Sequence, residues 1–367
     1  MLKIGIIGCG KIADQHAESI NRIPNAEIIA ACDKDLLMAK QLQERFNIDH
    51  SFDDVKQFLS LKQMDVVHIT TPPQLHYELG KMCIDSGFNV YIEKPFALNY
   101  EETDELIRLA DKKHVKITAG HNAQFTNAGN YCRNVIKDGF LGGAPVHIES
   151  YYCYSFGDEA YAKALLGDHN HWVRKLPGKL LHNIISHGIS KIAEFISSDN
   201  PEVMAIGITS PMLKGINENE IVDELRVIIN DNDKMTAYFT FSSQIAPSLH
   251  QLRLFGAKNS IIVDDDNQTV VKVYGRSYKS YLNQFVPPLV YSREYLSSAQ
   301  RNFKDFLKRK FHNDSGMKCL IEAFYQSINN HADLPISYKE IRLVAKIMDD
   351  IFSQINKGMR KKDERNK

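Results

Sequence analysis

An apolar strand candidate, Lys3 to Ile7, runs directly into Gly8-Cys9-Gly10-Lys11-Ile12-Ala13 and then into a helical period. Few folds accept a strand, a glycine-rich turn and a helix in that order. The first glycine allows a tight turn, the second lets backbone approach a pyrophosphate, and the small third residue lets helix and strand pack closely. Amide groups at the helix N-terminus then face the phosphate. A second strand candidate, Glu27 to Cys32, ends at Asp33. A carboxylate there accepts hydrogen bonds from the adenosine ribose hydroxyls and repels a 2′-phosphate, which predicts NAD rather than NADP. Lys34, beside it, is the one feature that would tolerate NADP. The competing reading is an ordinary strand-to-helix turn followed by a surface acid.

The pattern continues. Strand candidates at Val66 to Thr70, Val90 to Ile92 and Val115 to Ala119 alternate with helical periods such as Leu36 to Phe46 and Glu101 to Lys113. Strands alternating with helices build βαβ units on a parallel sheet. Asn99 with Glu102 supplies a helix-start signal. Beyond residue 122 the texture changes. A helix near Ala128 to Lys137, a strand near Val146 to Tyr154 and a helix at Leu180 to Ile196 precede six β-rich segments between Glu202 and Tyr274. Successive strands joined by polar turns favour antiparallel pairing in an α+β domain. Helices are expected at Ala299 to Phe311, Lys318 to Asn330 and Tyr338 to Ile355, and residues 275–298, with Pro287-Pro288, read as an irregular excursion. Residues 1–122 are thus expected to form a nucleotide-binding domain, and residues 123–367 a second, α+β domain.

Composition narrows the function. Hydrophobic residues at 43% and charged residues at 25% are the balance of a chain that buries a core. Lys plus Arg equals Asp plus Glu at 45 each, so no overall field draws the protein to nucleic acid or acidic lipid. No apolar run reaches the ~18 residues of a membrane helix, and the N-terminus turns polar too early for a signal peptide. Six cysteines lack CxxC or metal-ligand spacing, which fits free thiols in a reducing cytoplasm. His169, His171 and His182 invite a metal reading, but no Cys or carboxylate completes a ligand set, so no metal is expected.

Three further stretches point to a family: Thr70-Thr71-Pro72-Pro73-Gln74-Leu75-His76, Tyr91-Ile92-Glu93-Lys94-Pro95-Phe96-Ala97-Leu98 and Ala119-Gly120-His121-Asn122. With the glycine loop, the chain resembles the glucose-fructose oxidoreductase and inositol dehydrogenase family, Gfo/Idh/MocA; Glu-Lys-Pro is the most specific element. The resemblance runs on through Gly139 to Gly142, Trp172 to His187 and Ala323 to Ser337. It implies a doubly wound Rossmann domain plus an α+β domain with a large, mostly antiparallel open sheet that commonly mediates oligomers. It places Gly8, Gly10, Lys11 and Ile12 at the pyrophosphate, Asp33 at the adenosine ribose, and Thr71, Pro72 and His76 along the dinucleotide. Glu93 and Lys94 would lie beside the nicotinamide ribose, with Asn122 near the nicotinamide. Lys94 and His187 would be the catalytic pair. Asn183, Gln124 and Trp172 would join His187 in facing a carbohydrate-like substrate, with Trp172 equally a packing residue.

The chemistry suits those residue types. Oxidising a secondary alcohol removes the hydroxyl proton as hydride leaves, and histidine, whose unperturbed pKa is about 6.5, can take and return it. An ammonium at the reacting oxygen stabilises alkoxide charge. The chain departs from the family at Asn183, where an Asp is usual, at Gln124 in place of Arg, and at Lys179, which interrupts a glycine pair. An amide cannot act as a base but can hydrogen-bond a hydroxyl. The expected activity is an NAD-dependent oxidoreductase acting on a sugar, cyclitol or nucleotide sugar. The alternatives are a non-catalytic NAD-binding regulatory or scaffold protein, and an enzyme whose hydride returns to the same molecule for a net elimination, hydrolysis or epimerisation.

Overall fold

The computed structural model describes residues 1–155, 168, 171–232, 234–309, 315–330 and 332–365. The chain divides into two compact units, Met1–Asn122 with Gly316–Lys346, and Ala123–Ser315 with Ile347–Lys367.

The first unit is a six-stranded parallel sheet of β1 (Leu2–Ile7), β2 (Ala26–Cys32), β3 (His50–Phe52), β4 (Val66–Ile69), β5 (Asn89–Ile92) and β6 (Ile117–Ala119), in the order β3-β2-β1-β4-β5-β6. Strands buried on both faces are near-continuously apolar, and every residue of β4 is buried, with His68 its one polar side chain. The strand order reverses between β1 and β4, where crossover connections leave in opposite directions and open a crevice at the carboxyl ends. Acid and amide caps start the helices. Asp35 and Asp54 accept from Leu37 N and Gln57 N, and Asn99 accepts from Glu102 N at 2.8 Å while Glu102 accepts from Leu98 N at 3.0 Å. β3 has only three residues, too short for a periodic signal.

The second unit carries a seven-stranded sheet of β7 (His147–Ser155), β8 (Glu202–Ile208), β9 (Glu224–Asp231), β10 (Met235–Ser242), β11 (Gln244–Phe255), β12 (Asn259–Asp264) and β13 (Thr269–Tyr274). Its order is β13-β12-β11-β7-β10-β9-β8, and only the β7–β10 pair is parallel. Alternation sorts the faces: Leu225, Val227, Ile229, Ala237, Phe239 and Phe241 are buried, whereas Ile228 and Tyr238 are exposed. Helix Ser186–Ala193 lies on the buried face, where Gly188 O accepts from Ser150 Oγ at 3.0 Å.

Two boundaries differ from the sequence reading. Residues 316–346 pack with the first unit although they follow the second in sequence. Leu320, Ile321 and Phe324 are fully buried there, and Arg342 Nε donates to Asp104 Oδ1 at 2.8 Å. Hydrophobic periodicity marks a helix but does not name the surface it covers. The supposed excursion at 275–298 contains the start of helix Leu282–Leu307, with Pro287 and Pro288 inside it. Among the described residues no helix is long and apolar enough to cross a membrane, and the six thiols are free.

A Cβ at Gly188 would stand 2.2 Å from Cε2 of the buried Phe239 ring. Gly188→Ala must push the helix off the sheet, and a loss of about 1–3 kcal/mol in urea unfolding is expected.

Candidate functional site

The residues expected at a dinucleotide collect at the carboxyl ends of the first unit's strands. Gly8, just past β1, has φ +94°, and a Cβ there would lie 2.8 Å from Thr71 N, so only glycine fits. Gly10 is different. It stands at the N-terminus of helix Lys11–Ile20, no side chain caps that end, and a Cβ at Gly10 would meet nothing within 4 Å. The helix therefore presents amide donors to open space. Lys11 is exposed and Ile12 half-buried beside it. Asp33, past β2, is fixed through both carboxylate oxygens: Oδ2 accepts from Cys9 N at 2.8 Å and Oδ1 from Asp35 N at 3.0 Å. These residues fit a dinucleotide, with a pyrophosphate at Gly10 and a ribose at Asp33.

Past β4, Thr71 is half-buried with a hydroxyl that has no hydrogen-bond partner, and Pro72 is exposed. His76 is placed otherwise than expected. It is fully buried, with Nδ1 2.8 Å from Pro95 O and Nε2 2.8 Å from Thr71 O. Both ring nitrogens face backbone carbonyls, so the imidazole, packed between the Thr71 loop and the Glu-Lys-Pro loop, donates to one of them rather than presenting itself to a ligand.

Glu93, past β5, ends a buried hydrogen-bonded chain. Its Oε1 lies 2.9 Å from His16 Nε2, His16 Nδ1 lies 2.8 Å from His68 Nδ1, and His68 Nε2 lies 2.8 Å from the Tyr325 hydroxyl. An ionised carboxylate only accepts, so His16 donates from Nε2. Burial pushes the His68 pKa well down, so one of its nitrogens donates and the other accepts: taking His68 Nδ1–H as the donor to His16, His68 Nε2 accepts from Tyr325 O–H. In that assignment every donor in the chain points toward Glu93. Burial works to raise the pKa of Glu93, but the His16 hydrogen bond, the nearby Lys94 charge and the Lys94 amide, which donates to Oε2 at 3.1 Å, hold it below the usual range. Burial lowers the pKa of Lys94, and the Glu93 carboxylate opposes that fall. Past β6, Gly120 passes close to Glu93, and the buried His121 has no partner at either ring nitrogen. Burial pushes His121 down to about 4, with the Lys94 charge adding to the fall. Asn122, half-buried, begins the 3-10 turn Asn122–Phe125.

In the second unit, helices Lys179–Ile184 and Ser186–Ala193 stand where one continuous helix was expected. Ile185 between them keeps helical angles (φ −68°, ψ −18°), so Asn183 and His187, both half-buried, remain one turn apart on one side. The His187 ring stacks on Tyr152 at 5.2 Å and 18°; Tyr152 in turn contacts His250, whose Nδ1 lies 2.6 Å from Asp266 Oδ1. Burial raises the Tyr152 pKa, keeping the phenol protonated. Trp172 stacks on His171 at 5.7 Å. Gln124 is buried and its amide donates to Ser190 O at 3.1 Å, which anchors the His187 helix from behind. Among the described residues no group of His, Cys, Asp and Glu could hold a metal ion. His182 stacks on Phe352, and His169 lies outside the described residues.

Sequence reasoning missed His16, His68, Tyr325 and Tyr152. One signal was present: a histidine inside the apolar run Val66–Ile69 demands a buried partner.

Tyr325→Phe removes the first donor of the chain and leaves His68 Nε2 without a donor. Urea unfolding should show a loss of about 1–3 kcal/mol. The depressed His121 pKa means that the unfolded chain, near 6.5, binds a proton that the folded chain refuses until about 4. Stability is therefore lost as pH falls from 6.5 to 4, by roughly 3 kcal/mol from this group. His121→Gln should show a shallower decline over that window in pH-dependent melts.

Residues 2–121 match the model of the oxidoreductase family with an NAD-binding Rossmann fold, GFO_IDH_MocA. An uncharacterized oxidoreductase of Synechocystis sp. is 30% identical over 141 residues, 38% of this chain and 38% of that relative's length. Trans-1,2-dihydrobenzene-1,2-diol dehydrogenase of Xenopus tropicalis is 22% identical across 96% of this chain and 98% of its own length. Among solved structures, UDP-N-acetylglucosamine 3-dehydrogenase from Acidithiobacillus ferrooxidans has the same fold, with a TM-score of 0.73, 18% identity and coverage of 98% of this chain and 99% of that one. The parallel sheet with its glycine loop, the Glu-Lys-Pro segment and the second, mostly antiparallel sheet agree with these matches, and residues 2–121 are similar to the NAD-binding domain of the Gfo/Idh/MocA oxidoreductase family.

Proposed function

We propose that this protein is an NAD-dependent oxidoreductase that moves hydride between the nicotinamide and a secondary hydroxyl of a sugar, cyclitol or nucleotide sugar. The observation that carries the reading is the uncapped helix N-terminus at Gly10 combined with the fixed carboxylate of Asp33. The Asp33 charge opposes a 2′-phosphate, which supports NAD over NADP. Gly8, Gly10, Lys11 and Ile12 hold the pyrophosphate, Thr71 and Pro72 border the dinucleotide, and Glu93 and Asn122 lie at its nicotinamide end. When bound, the nicotinamide supplies the hydride acceptor.

The chain's own residues handle the proton and the charge. Lys94, whose charged form the Glu93 carboxylate favours, stabilises negative charge on the reacting oxygen. His187, oriented by the Tyr152 ring, takes the hydroxyl proton as the carbonyl forms and returns it in the reverse direction. Asn183 donates to a neighbouring hydroxyl, and Trp172 borders the substrate. The second unit binds the substrate, and the exposed apolar outer face of β8 to β10, with Ile206, Ile228 and Tyr238, pairs with another copy. The protein works in the cytoplasm.

Nicotinamide absorbance with excess enzyme and pooled sugars, cyclitols and nucleotide sugars tests the chemistry. Lys94→Ala and His187→Ala should each slow the rise by about 10²–10⁴-fold. A flat wild-type trace with bound NAD would instead favour internal redox or a regulatory role. In fluorescence titrations Asp33→Ser should weaken NADH binding about tenfold or more and narrow its advantage over NADPH.

A further inference from the structure

Helix Leu282–Leu307 is inside out. Its only buried residue is Ser298, whose hydroxyl donates to Val270 O at 3.0 Å. Glu294 and Arg301, on the same side, reach Lys272 and the Tyr131 ring. The opposite side carries Leu282, Phe285, Leu289, Leu296, Phe303 and Phe306, each between 43% and 70% exposed. A surface helix ordinarily turns its apolar stripe to the core.

The spacing of the stripe is that of a coiled coil: Leu282, Leu289, Leu296 and Phe303 fall at a, and Phe285, Ser292, Ala299 and Phe306 at d. We propose that this helix pairs with the same helix of a second copy, antiparallel about a two-fold axis. Antiparallel pairing sets each a against a d, and one register matches all of them. Leu296 meets Ser292 and Leu289 meets Ala299 near the axis, while Leu282 meets Phe306 and Phe303 meets Phe285 at the ends. Large residues oppose small ones at the centre, where two backbones must approach. Charge favours the same direction. The half from Leu282 to Ser292 has no charged residue, whereas the half after it carries Arg293, Glu294, Arg301, Lys304 and Asp305, and antiparallel pairing sets most of these opposite the uncharged half. The six apolar side chains offer about 700 Å² per copy, close to the ~800 Å² per partner of a stable interface. Pro287 and Pro288 fall outside the a and d positions.

This surface is separate from the outer face of β8 to β10, because Ser298 anchors the helix to β13 at the other edge of the sheet. Two isologous interfaces on one chain close into a dihedral tetramer.

Native mass spectrometry and sedimentation of the full chain test this, with circular dichroism and NADH binding as checks on folding. Leu289→Glu/Leu296→Glu should halve the wild-type mass without loss of helix signal. Under oxidation, Leu289→Cys/Ala299→Cys should give a disulfide-linked dimer, and Leu289→Cys alone should give none. The proposal fails if the wild type is a monomer, if the charged variant keeps the wild-type mass, or if Leu289→Cys alone cross-links, which would mean parallel pairing. It fails equally if the helix instead holds lipid or another protein while the wild-type mass stays unchanged by the charged variant. If that variant unfolds, the cysteine pair decides alone.

Discussion

A buried negative charge needs donors, and Glu93 obtains them from a chain of aromatic and imidazole groups that no solvent reaches. His16 comes from the helix after the glycine loop, His68 from β4, Glu93 from the end of β5 and Tyr325 from a helix near the C-terminus. Four separate segments of the chain are thereby made to agree on one geometry. An unpaired carboxylate at that depth would cost several kcal/mol. With the chain in place, the charge persists and opposes the fall that burial imposes on the Lys94 pKa.

The same site shows two ways to use a histidine. His16 and His68 pass hydrogen bonds in one direction, whereas His76 sits between two loops and faces a carbonyl of each. His121 satisfies neither nitrogen, and its burial pushes its pKa down to about 4. The sequence reading places His76 along the dinucleotide by resemblance and passes over His16 and His68; only the partners distinguish the four.

Much of the first unit was legible because its signals are local. Glycine spacing, the Asn99 cap and fully apolar strands each act within a few residues, and the strands fall where the hydrophobic runs place them. Asp33 was likewise readable from its position just past a strand, and the Glu93-Lys94 segment from its resemblance to a family signature. What escaped was non-local. Neither the return of residues 316–346 to the first unit nor the union of His68 with Tyr325 leaves a periodic trace. Helix Leu282–Leu307 escaped for another reason: two prolines within it mimic a loop, and its apolar side does not cover this chain's own core. Gln124 was read as substrate-facing from a motif, but burial beneath the helix of His187 gives it a supporting place.

Tyr325 and His68 are separated by 257 positions in sequence. During synthesis the glycine loop, all six parallel strands and Glu93 leave the ribosome well before the tyrosine that completes their buried network. At usual translation rates that interval is roughly 10 to 40 seconds. The nascent first unit passes through it with Leu320, Ile321 and Phe324 still to be made and the surface they cover open. The surface most exposed to aggregation in the nascent chain is accordingly on an N-terminal segment that is already translated but not yet closed.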